Sequence, residues 1–294
     1  MLENAPLAAR RGAAAYVALV AGALAMGLSP IFVRLADVGP FTSAFWRVTL
    51  ALPALYAWTR LAEREAPSGS RFAAPTILAG LVFAGDLLFW HSAILKTSVA
   101  NATFFATTAP IWVVAFGWML FGRRPERGTL AGLALCLCGG AALLAQSLRL
   151  RPEGAIGDGF GLATGVFFGL YFLAVEAALR KADAARVTFE ASLVTAAILF
   201  VVAVVLERAL LPASVAGLAA LLGLAWVSHA GGQGLLSVAL GRLPATFSSL
   251  VIFLEAVAAA VFAALLLGEP ISSLQAIGGL LIMAGIYIAR PRGP

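Results

Sequence analysis

Charged side chains are scarce in this chain, and their scarcity sets the class of protein. Only 12% of the residues are charged and 62% are hydrophobic, whereas soluble domains carry about 25% charged and about 45–50% apolar residues. The charges leave ten apolar segments, each close to the roughly 20 residues that a helix needs to cross a bilayer. They are 13–36, 42–60, 73–95, 99–121, 129–148, 159–180, 187–206, 214–237, 244–267 and 273–289. Because lipid cannot satisfy backbone polar groups, all ten are predicted to be helices of an all-α membrane protein.

Cysteine and histidine are almost absent as well, which excludes several kinds of site. Cys136 and Cys138 lie two residues apart in one apolar segment, where they point to different faces, so we interpret them as packing residues. His91 and His229, without paired carboxylates at a suitable spacing, do not form a standard zinc site. The sequence has no G-x-S-x-G elbow and no P-loop. We therefore predict no enzyme activity, no metal and no cofactor.

Basic residues exceed acidic ones by 20 to 14, but their placement indicates a membrane rather than nucleic acid as the partner. They lie at the ends of the apolar segments, and no connection is long enough to form a domain with a basic groove. With the N-terminus inside, the cytoplasmic ends hold 14 of the Lys and Arg residues, the opposite ends hold five, and Arg47 lies within a segment. Because basic loops stay cytoplasmic, we predict an inner-membrane protein with both termini in the cytoplasm.

An internal repeat runs through the chain at a constant offset of 146 residues. Segments 84–140 and 230–286 align without a gap, and the alignment pairs Gly132 with Gly278 and Gly139 with Gly285. The connection GRRPERG in the first copy is strongly basic, whereas its counterpart GEPISSL has one acid and no base. By the positive-inside rule the two copies insert upside down relative to each other. We predict two five-helix repeats of inverted topology, 1–150 and 151–294, with a polar seam at 149–158 and a substrate site near the midplane.

Three segments resemble a known family: YVALVAGALAMGLSPIFVRLA, FWRVTLALPAL with its arginine, and ATFSSLVIFLEAVAAAVFAALLLGEPISSLQAIGGLLIMAGIYI. They are similar to the drug/metabolite transporter superfamily, specifically its EamA-type members, and the aromatic-rich segments look most like the aromatic amino-acid exporters of the YddG type. The resemblance implies a ten-helix inner-membrane carrier, commonly an exporter of amino acids or related metabolites. One departure is that the first copy reads FGRRP where the family usually has LGE, so any role of that acid falls to Glu269.

Ionisable residues within the apolar segments are the first candidates for a site, because each costs roughly 2.5–3.5 kcal/mol to insert. Arg47 lies about one turn into the second segment, and Asp86 lies in the middle-to-outer part of the third. They form either a buried ion pair that fixes two helices or charges presented to a zwitterionic substrate. Glu255, near the middle of the ninth segment, is the best single candidate to meet an ammonium group or a coupling proton.

Two stripes of residues at helical spacing give further candidates: Phe83, Asp86 and Trp90 in the third segment, and Trp226, His229 and Gln233 in the eighth. They occupy equivalent positions in the repeat alignment, and each is either helix packing or the wall of a cavity between the repeats. Asp86 on the first stripe favours the cavity, because a carboxylate does not face lipid. With aromatic residues of the fourth and sixth segments added, the predicted substrate-binding residues are Phe83, Trp90, Trp112, Tyr171, Trp226, His229, Gln233 and Glu255.

These features predict a secondary transporter that exports small amphipathic metabolites, foremost amino acids with aromatic or apolar side chains, by alternating access around a midplane cavity. A nucleotide-sugar or a cationic drug on the same scaffold is the alternative, although the lack of a buried Lys and Arg cluster weighs against phosphorylated ligands. A membrane-embedded enzyme or a channel would need a reactive constellation or a ring of pore-lining polar groups. The predicted partners are a small-molecule substrate and the lipid bilayer, without nucleic acid, and one chain suffices to enclose the cavity.

Overall fold

The structure is a computed structural model that describes residues 5–65, 69–97, 99–145, 154–267 and 271–291, and within these ranges the chain is helical without a strand. In chain order the helices are α1 (Ala5–Met26), α2 (Ser29–Leu35), α3 (Pro40–Thr49), α4 (Leu52–Glu65), α5 (Ala74–Lys96), α6 (Val99–Ala106), α7 (Ala109–Phe121), α8 (Arg127–Leu144), α9 (Ala155–Ala178), α10 (Ala184–Leu206), α11 (Val215–Gly223), α12 (Gly234–Leu240), α13 (Ala245–Val251), α14 (Phe253–Leu267) and α15 (Ser273–Ala289). A π-helical segment, Leu224–Gln233, joins α11 to α12. Glu269 and the first half of the predicted seam, 149–153, lie outside the described residues.

Eight helical stretches of the described chain are long and apolar enough to cross a membrane. They are Gly12–Leu35, Ala74–Lys96, Asn101–Phe121, Arg127–Leu144, Ala155–Ala178, Ala184–Leu206, Val215–Leu240 and Ala245–Phe262. The last helix, α15, is apolar but shorter, and the second predicted segment folds as α3 followed by α4. The described parts of all ten predicted segments are thus largely helical, which confirms the prediction of an all-α membrane protein.

Polar and apolar side chains are distributed as a bilayer requires. Large apolar residues cover the outside, where Met119, Val205 and Leu265 are 73%, 73% and 75% exposed. Hydroxyl groups lie inside, as at Thr195 of α10, whose Oγ1 donates to the Gly80 carbonyl oxygen of α5 at 2.9 Å. Small and hydroxyl-bearing residues between helices are typical of membrane bundles, because they allow close approach and hydrogen bonds across the contact.

Helix starts are set partly by local caps and partly by a distant carboxylate. Asp183 caps α10 through its own side chain, and Ser272 begins α15 with a capping box. The start of α3 has no side-chain cap of its own. Its amide groups at Phe41 and Thr42 donate instead to the Glu207 carboxylate, at 2.7 and 3.0 Å. The Glu207 carboxylate lies at the positive end of the α3 dipole, where a negative charge is stabilising, and its hydrogen bonds connect the end of α10 to the start of α3.

Helices α8 and α15 approach each other so closely that only glycine fits at their crossing. A Cβ atom on Gly139 would lie 2.6 Å from the Gly278 carbonyl oxygen, and one on Gly132 would lie 2.5 Å from the Gly285 carbonyl oxygen. The facing pairs run in opposite order along the two helices. Helices α8 and α15 are therefore antiparallel, and their backbones are in direct contact.

Four of the predicted membrane segments contain a break in the helix, at residues 27–28, 50–51, 107–108 and 252. Pro30, Pro53 and Pro110 follow the first three breaks at the start of the next helix, where the missing amide hydrogen costs nothing. In the interior of a continuous helix the same prolines would lose a hydrogen bond and clash with the preceding turn. The breaks at three of these places lie beside the cavity described next.

Candidate functional site

A cavity lies where the helices break, and residues of both predicted repeats line it. Its volume is about 720 Å³ when the open mouth is included. Ser29 and Pro30 reach it from the start of α2, Thr107 from the break between α6 and α7, and Ile252 from the break between α13 and α14. Interrupted helices at membrane depth are tolerated only where protein or a cavity satisfies the freed backbone groups.

Hydroxyl groups at the breaks supply hydrogen bonds to some of the freed backbone carbonyl groups. Thr107 Oγ1 donates to the Phe104 carbonyl oxygen at 2.7 Å, and Thr108 Oγ1 donates to the Phe105 carbonyl oxygen at 2.6 Å. Ser249, one turn before the break at Ile252, bonds in the same way to the carbonyl oxygen three residues earlier, at 3.0 Å. These local bonds pair carbonyl groups near each break with a donor, which stabilises the broken conformation in a water-poor environment.

Three ionisable side chains, Arg47, Asp86 and Glu255, line the cavity and interact electrostatically. Arg47 and Asp86 are each 7% exposed. Within the described residues neither carboxylate lies within 4.0 Å of the Arg47 guanidinium, and Arg47 Nε has no hydrogen-bond partner. The ion pair considered for Arg47 and Asp86 is therefore not formed at contact distance. Because uncompensated buried charges are costly, one cation and two carboxylates around one space suit a ligand that carries both signs.

Aromatic side chains form the apolar part of the cavity wall. Phe83 and Trp90 of α5 line it together with Phe168 of α9. Tyr171 packs behind Phe83, with ring centroids 4.7 Å apart, and His229 stacks on Phe83 at 5.5 Å. Tyr171 and His229 thus support Phe83 from behind and are not among the described residues that line the cavity.

The π segment ends at the cavity and supplies an amide side chain to it. Gln233 lines the cavity, is 2% exposed, and its Oε1 atom has no hydrogen-bond partner. The Nε2 atom of His229, one turn earlier, lies 2.9 Å from the Oγ atom of Ser192 in α10. The amide oxygen of Gln233 is therefore open to a ligand, whereas the Nε2 atom of His229 already has a protein partner.

Trp226 lies on the outside of the bundle, which corrects the expectation that it shares a face with His229 and Gln233. Its side chain is 56% exposed, and its indole Nε1 donates to the Leu50 carbonyl oxygen at 3.0 Å. The prediction of a shared face was based on α-helical spacing. All three residues lie in the π segment, where a turn holds more residues than an α-helical turn, so the stripe is split.

Trp112 also lies away from the cavity, between α7 and α9. Its ring stacks on Phe116 at a centroid distance of 5.9 Å. It fills the space above two glycines of α9, because a Cβ atom on Gly169 would lie 2.7 Å from Trp112 Cβ and one on Gly165 would lie 3.4 Å from Trp112 Nε1. The structure places this side chain in the contact between two helices rather than in the cavity lining.

The structure thus brings six of the predicted residues together and separates four. Those that line the cavity are Arg47, Phe83, Asp86, Trp90, Gln233 and Glu255. Sequence reasoning missed four hydroxyl residues of the lining, namely Ser29, Thr103, Thr107 and Thr164. These four residues were hard to predict as lining residues, because a hydroxyl in a membrane helix usually bonds to the backbone of its own helix. No group of three or more metal-ligating side chains occurs in the part of the chain that the structure describes.

Comparison with known proteins agrees with this architecture. The profile of the EamA-like transporter family matches residues 13–145 and again residues 155–290. Solute carrier family 35 member E4 of Homo sapiens is 29% identical over 96% of this chain and 80% of its own length. An uncharacterized transporter of Archaeoglobus fulgidus is 26% identical over 88% of this chain and 91% of its own. A probable amino-acid metabolite efflux pump of Salmonella typhimurium is 28% identical over 60% of this chain and 62% of its own.

Among the solved structures that share the fold is a crystal structure with a TM-score of 0.82 over 94% of this chain and 97% of that chain, at 22% sequence identity. The family profile covers nearly all of the described helices in two matches, and the relatives named above are transporters or solute carriers. The resemblance seen in the sequence is confirmed: this chain belongs to the EamA-like transporter family.

Proposed function

We propose that this protein exports small zwitterionic metabolites, foremost amino acids with aromatic or apolar side chains, by alternating access around the cavity. The observation that carries the proposal is the lining, in which one guanidinium, two carboxylates and three aromatic rings surround one space of about 720 Å³. An amino acid has a carboxylate, an ammonium group and a side chain, and this lining offers each of them a separate partner. Sites for small molecules are commonly lined in this way, by apolar and aromatic side chains with a few placed polar groups.

The proposed roles follow from the chemistry of each side chain. Arg47 binds the substrate carboxylate, because a guanidinium can donate two parallel hydrogen bonds to it. Asp86 and Glu255 face the ammonium group, and the carboxylate that does not bind it is free to carry a coupling proton. Phe83 and Trp90 pack against the substrate side chain.

The contact between α8 and α15 supports two repeats of inverted topology, 1–150 and 151–294. Cys136 Sγ lies 3.7 Å from the carbonyl oxygen of Ile282, the residue 146 positions later that the repeat alignment pairs with it. An antiparallel contact between equivalent residues is what a two-fold axis in the membrane plane produces. The two separate matches to the family profile and the breaks near equivalent positions, 107–108 and 252, support the same duplication.

We further propose that the protein lies in the inner membrane with both termini in the cytoplasm, as the distribution of basic residues indicates. Most of the lining lies in the half of each predicted segment that the same distribution places outside, as with Trp90 in the last two turns of α5 and Thr103 in the first half of the fourth segment. This position favours assignment of the structure to a state that faces away from the cytoplasm. The name of one relative, a probable amino-acid metabolite efflux pump, supports export as the direction.

A cationic drug is the second candidate, because two carboxylates line the cavity. A nucleotide-sugar fits less well, since Arg47 is the single Lys or Arg among the described lining residues and a diphosphate would need several such partners.

Counterflow in proteoliposomes distinguishes these substrates. Vesicles loaded with unlabelled phenylalanine should accumulate labelled phenylalanine, and an excess of phenylalanine should compete better than phenethylamine, which lacks the carboxylate. Phenethylamine that is carried while phenylalanine is not would replace the amino acid by a cation as the substrate. Protein-free vesicles control for leakage of the aromatic compounds.

A further inference from the structure

An apolar groove runs along α15 on the outside of the helix bundle, separate from the transport cavity. Tyr16 of α1, Leu254 of α14 and Met283 of α15 line it, and Arg290 lies at one end. We call these four residues the α15 groove. Its volume is about 1240 Å³ with the open side included. Since a helix advances 1.5 Å per residue, the stretch from Met283 to Arg290 is about 10 Å long, enough for the first part of an acyl chain.

The walls of the α15 groove face the bilayer. Met283 is 56% exposed and Tyr287, beside it, is 63% exposed. Tyr16 packs edge-on against Phe247 of α13, with ring centroids 5.6 Å apart, which fixes one side of the groove. Tyrosines near the end of a membrane helix are typical of the interface between hydrocarbon and headgroups.

Three arginines lie beside the groove, and we call Arg124, Arg127 and Arg290 the arginine cluster. Arg290 borders both the groove and a recess that holds Arg127. Phe247 borders both the groove and a second recess, which holds Arg124. The groove therefore adjoins both recesses that the three arginines line.

The three arginines exceed the one carboxylate beside them, that of Glu126, which lines the same two recesses but forms no ion pair with the cluster. Among the described residues no carboxylate lies within 4.0 Å of Arg124, Arg127 or Arg290. Arg123, next in the chain, differs because it bonds to Glu176 at 2.6 Å. The cluster is thus open to an anion that reaches it from the bilayer.

We propose that an anionic phospholipid occupies this place, with an acyl chain in the α15 groove and its phosphate at the arginine cluster. Guanidinium groups match phosphate oxygens, and basic pockets between helices on the cytoplasmic side, where this end of α15 is predicted to lie, bind anionic headgroups. A free phosphate would use the arginines alone. The continuous apolar groove selects a lipid. The bound lipid contacts α1, α14, α15 and the connection between α7 and α8, so its binding stabilises the folded bundle.

The test uses the purified full-length protein in a neutral detergent. Native mass spectrometry and thermal unfolding are recorded with phosphatidylglycerol, with phosphatidylcholine and with glycerol 3-phosphate. Phosphatidylglycerol should stay bound and raise the unfolding temperature, whereas the other two should not. Replacing Arg124 and Arg290 by Gln should weaken phosphatidylglycerol binding about fivefold for each arginine. The matched control is Arg64→Gln with Arg180→Gln, two exposed arginines on the same predicted side and outside the cluster.

A second variant tests the groove rather than the charge. Met283→Trp fills the α15 groove at an exposed position. It should therefore reduce phosphatidylglycerol binding without changing the unfolding temperature in detergent alone. If the arginine variant does not fold, the Met283→Trp variant still tests the proposal. Equal protection of unmodified protein and both variants by phosphatidylglycerol would overturn the proposal. Equal protection by glycerol 3-phosphate and phosphatidylglycerol would do so as well, because it would show a phosphate site without a lipid.

Discussion

Replacing Gly278 by alanine is expected to destabilise the bundle, whereas the same change at Gly279 is not. The added Cβ at position 278 would lie 2.6 Å from the Gly139 carbonyl oxygen and 2.6 Å from the Leu143 amide nitrogen, both backbone atoms of the facing helix. At position 279 the nearest atom is Cγ1 of Val257 at 3.8 Å, which is an ordinary contact. The two variants add the same methyl group to neighbouring positions of one helix, so they control for each other.

The magnitude follows from two opposing effects. Alanine is favoured over glycine inside a helix by roughly 0.8–1.0 kcal/mol, and both variants gain this amount. Overpacking typically destabilises a protein by about 1–3 kcal/mol, and only the variant at position 278 is overpacked. The free energies of unfolding of the two variants should therefore differ by about 1–3 kcal/mol, and Gly279→Ala should be at least as stable as the unmodified protein.

Thermal unfolding in detergent measures the difference directly. A double variant, Gly139→Ala with Gly278→Ala, should cost less than the two single changes summed, because one small separation of α8 and α15 relieves both contacts. Equal unfolding temperatures for Gly278→Ala and Gly279→Ala would refute the close backbone approach on which the reasoning depends.

Four further predictions concern the site, a helix cap and the orientation. Glu255→Gln keeps the side-chain volume but removes the charge, so transport in proteoliposomes should fall about 10–100-fold while size-exclusion elution stays monodisperse. Arg47→Gln should weaken competition by an aromatic amino acid by a similar factor and leave competition by the corresponding amine almost unchanged. Glu207→Gln removes the charge at the start of α3 and should lower the free energy of unfolding by about 1–2 kcal/mol in chemical or thermal unfolding. A single cysteine at Arg124 should be protected from an impermeant reagent in intact cells, and one at Ser272 should be labelled.

The contradicting outcomes are distinct for each of these changes. If the Glu255→Gln variant transports at the unmodified rate at every pH tested, Glu255 has a role in helix packing and none in transport. Equal weakening of amine and amino-acid competition by Arg47→Gln would assign the arginine a structural role. Glu126→Gln, at the start of α8 where no side-chain cap bond forms, is the matched control for the cap, and an equal loss of stability there would remove the specific effect. Labelling at Arg124 in intact cells would reverse the orientation.

The helices were predictable from sequence because each segment must satisfy its own backbone in lipid, which leaves few alternatives to a helix. Pro30, Pro53 and Pro110 marked three of the breaks, although proline alone does not tell a break from a kink. No proline follows the break at Ile252, so this break had no such signal. The π segment was not predictable either, because its glycine-rich end is compatible with an ordinary α-helix.

Residues whose burial is costly were the best predicted part of the site. Arg47, Asp86 and Glu255 were identified because a charge within a membrane segment needs a cavity or a partner, and the structure places all three at one cavity. Aromatic residues carry no such constraint, since the same ring packs equally well against lipid or another helix. Trp226 and Trp112 were therefore assigned to the cavity by helical spacing alone, and the structure places them elsewhere.

The contact of α8 with α15 has a consequence for any movement of the two halves. If a two-fold axis through this contact relates the halves, as proposed above, it exchanges Cys136 with Ile282 and leaves the contact itself in place. An exchange of conformations between the halves, as alternating access requires, would therefore preserve the contact between these two helices. We expect α8 and α15 to form the stationary part of the molecule while the helices around the cavity rearrange. A substitution at their crossing is then expected to change the stability of both end states by the same amount and to leave the ratio of their populations unchanged.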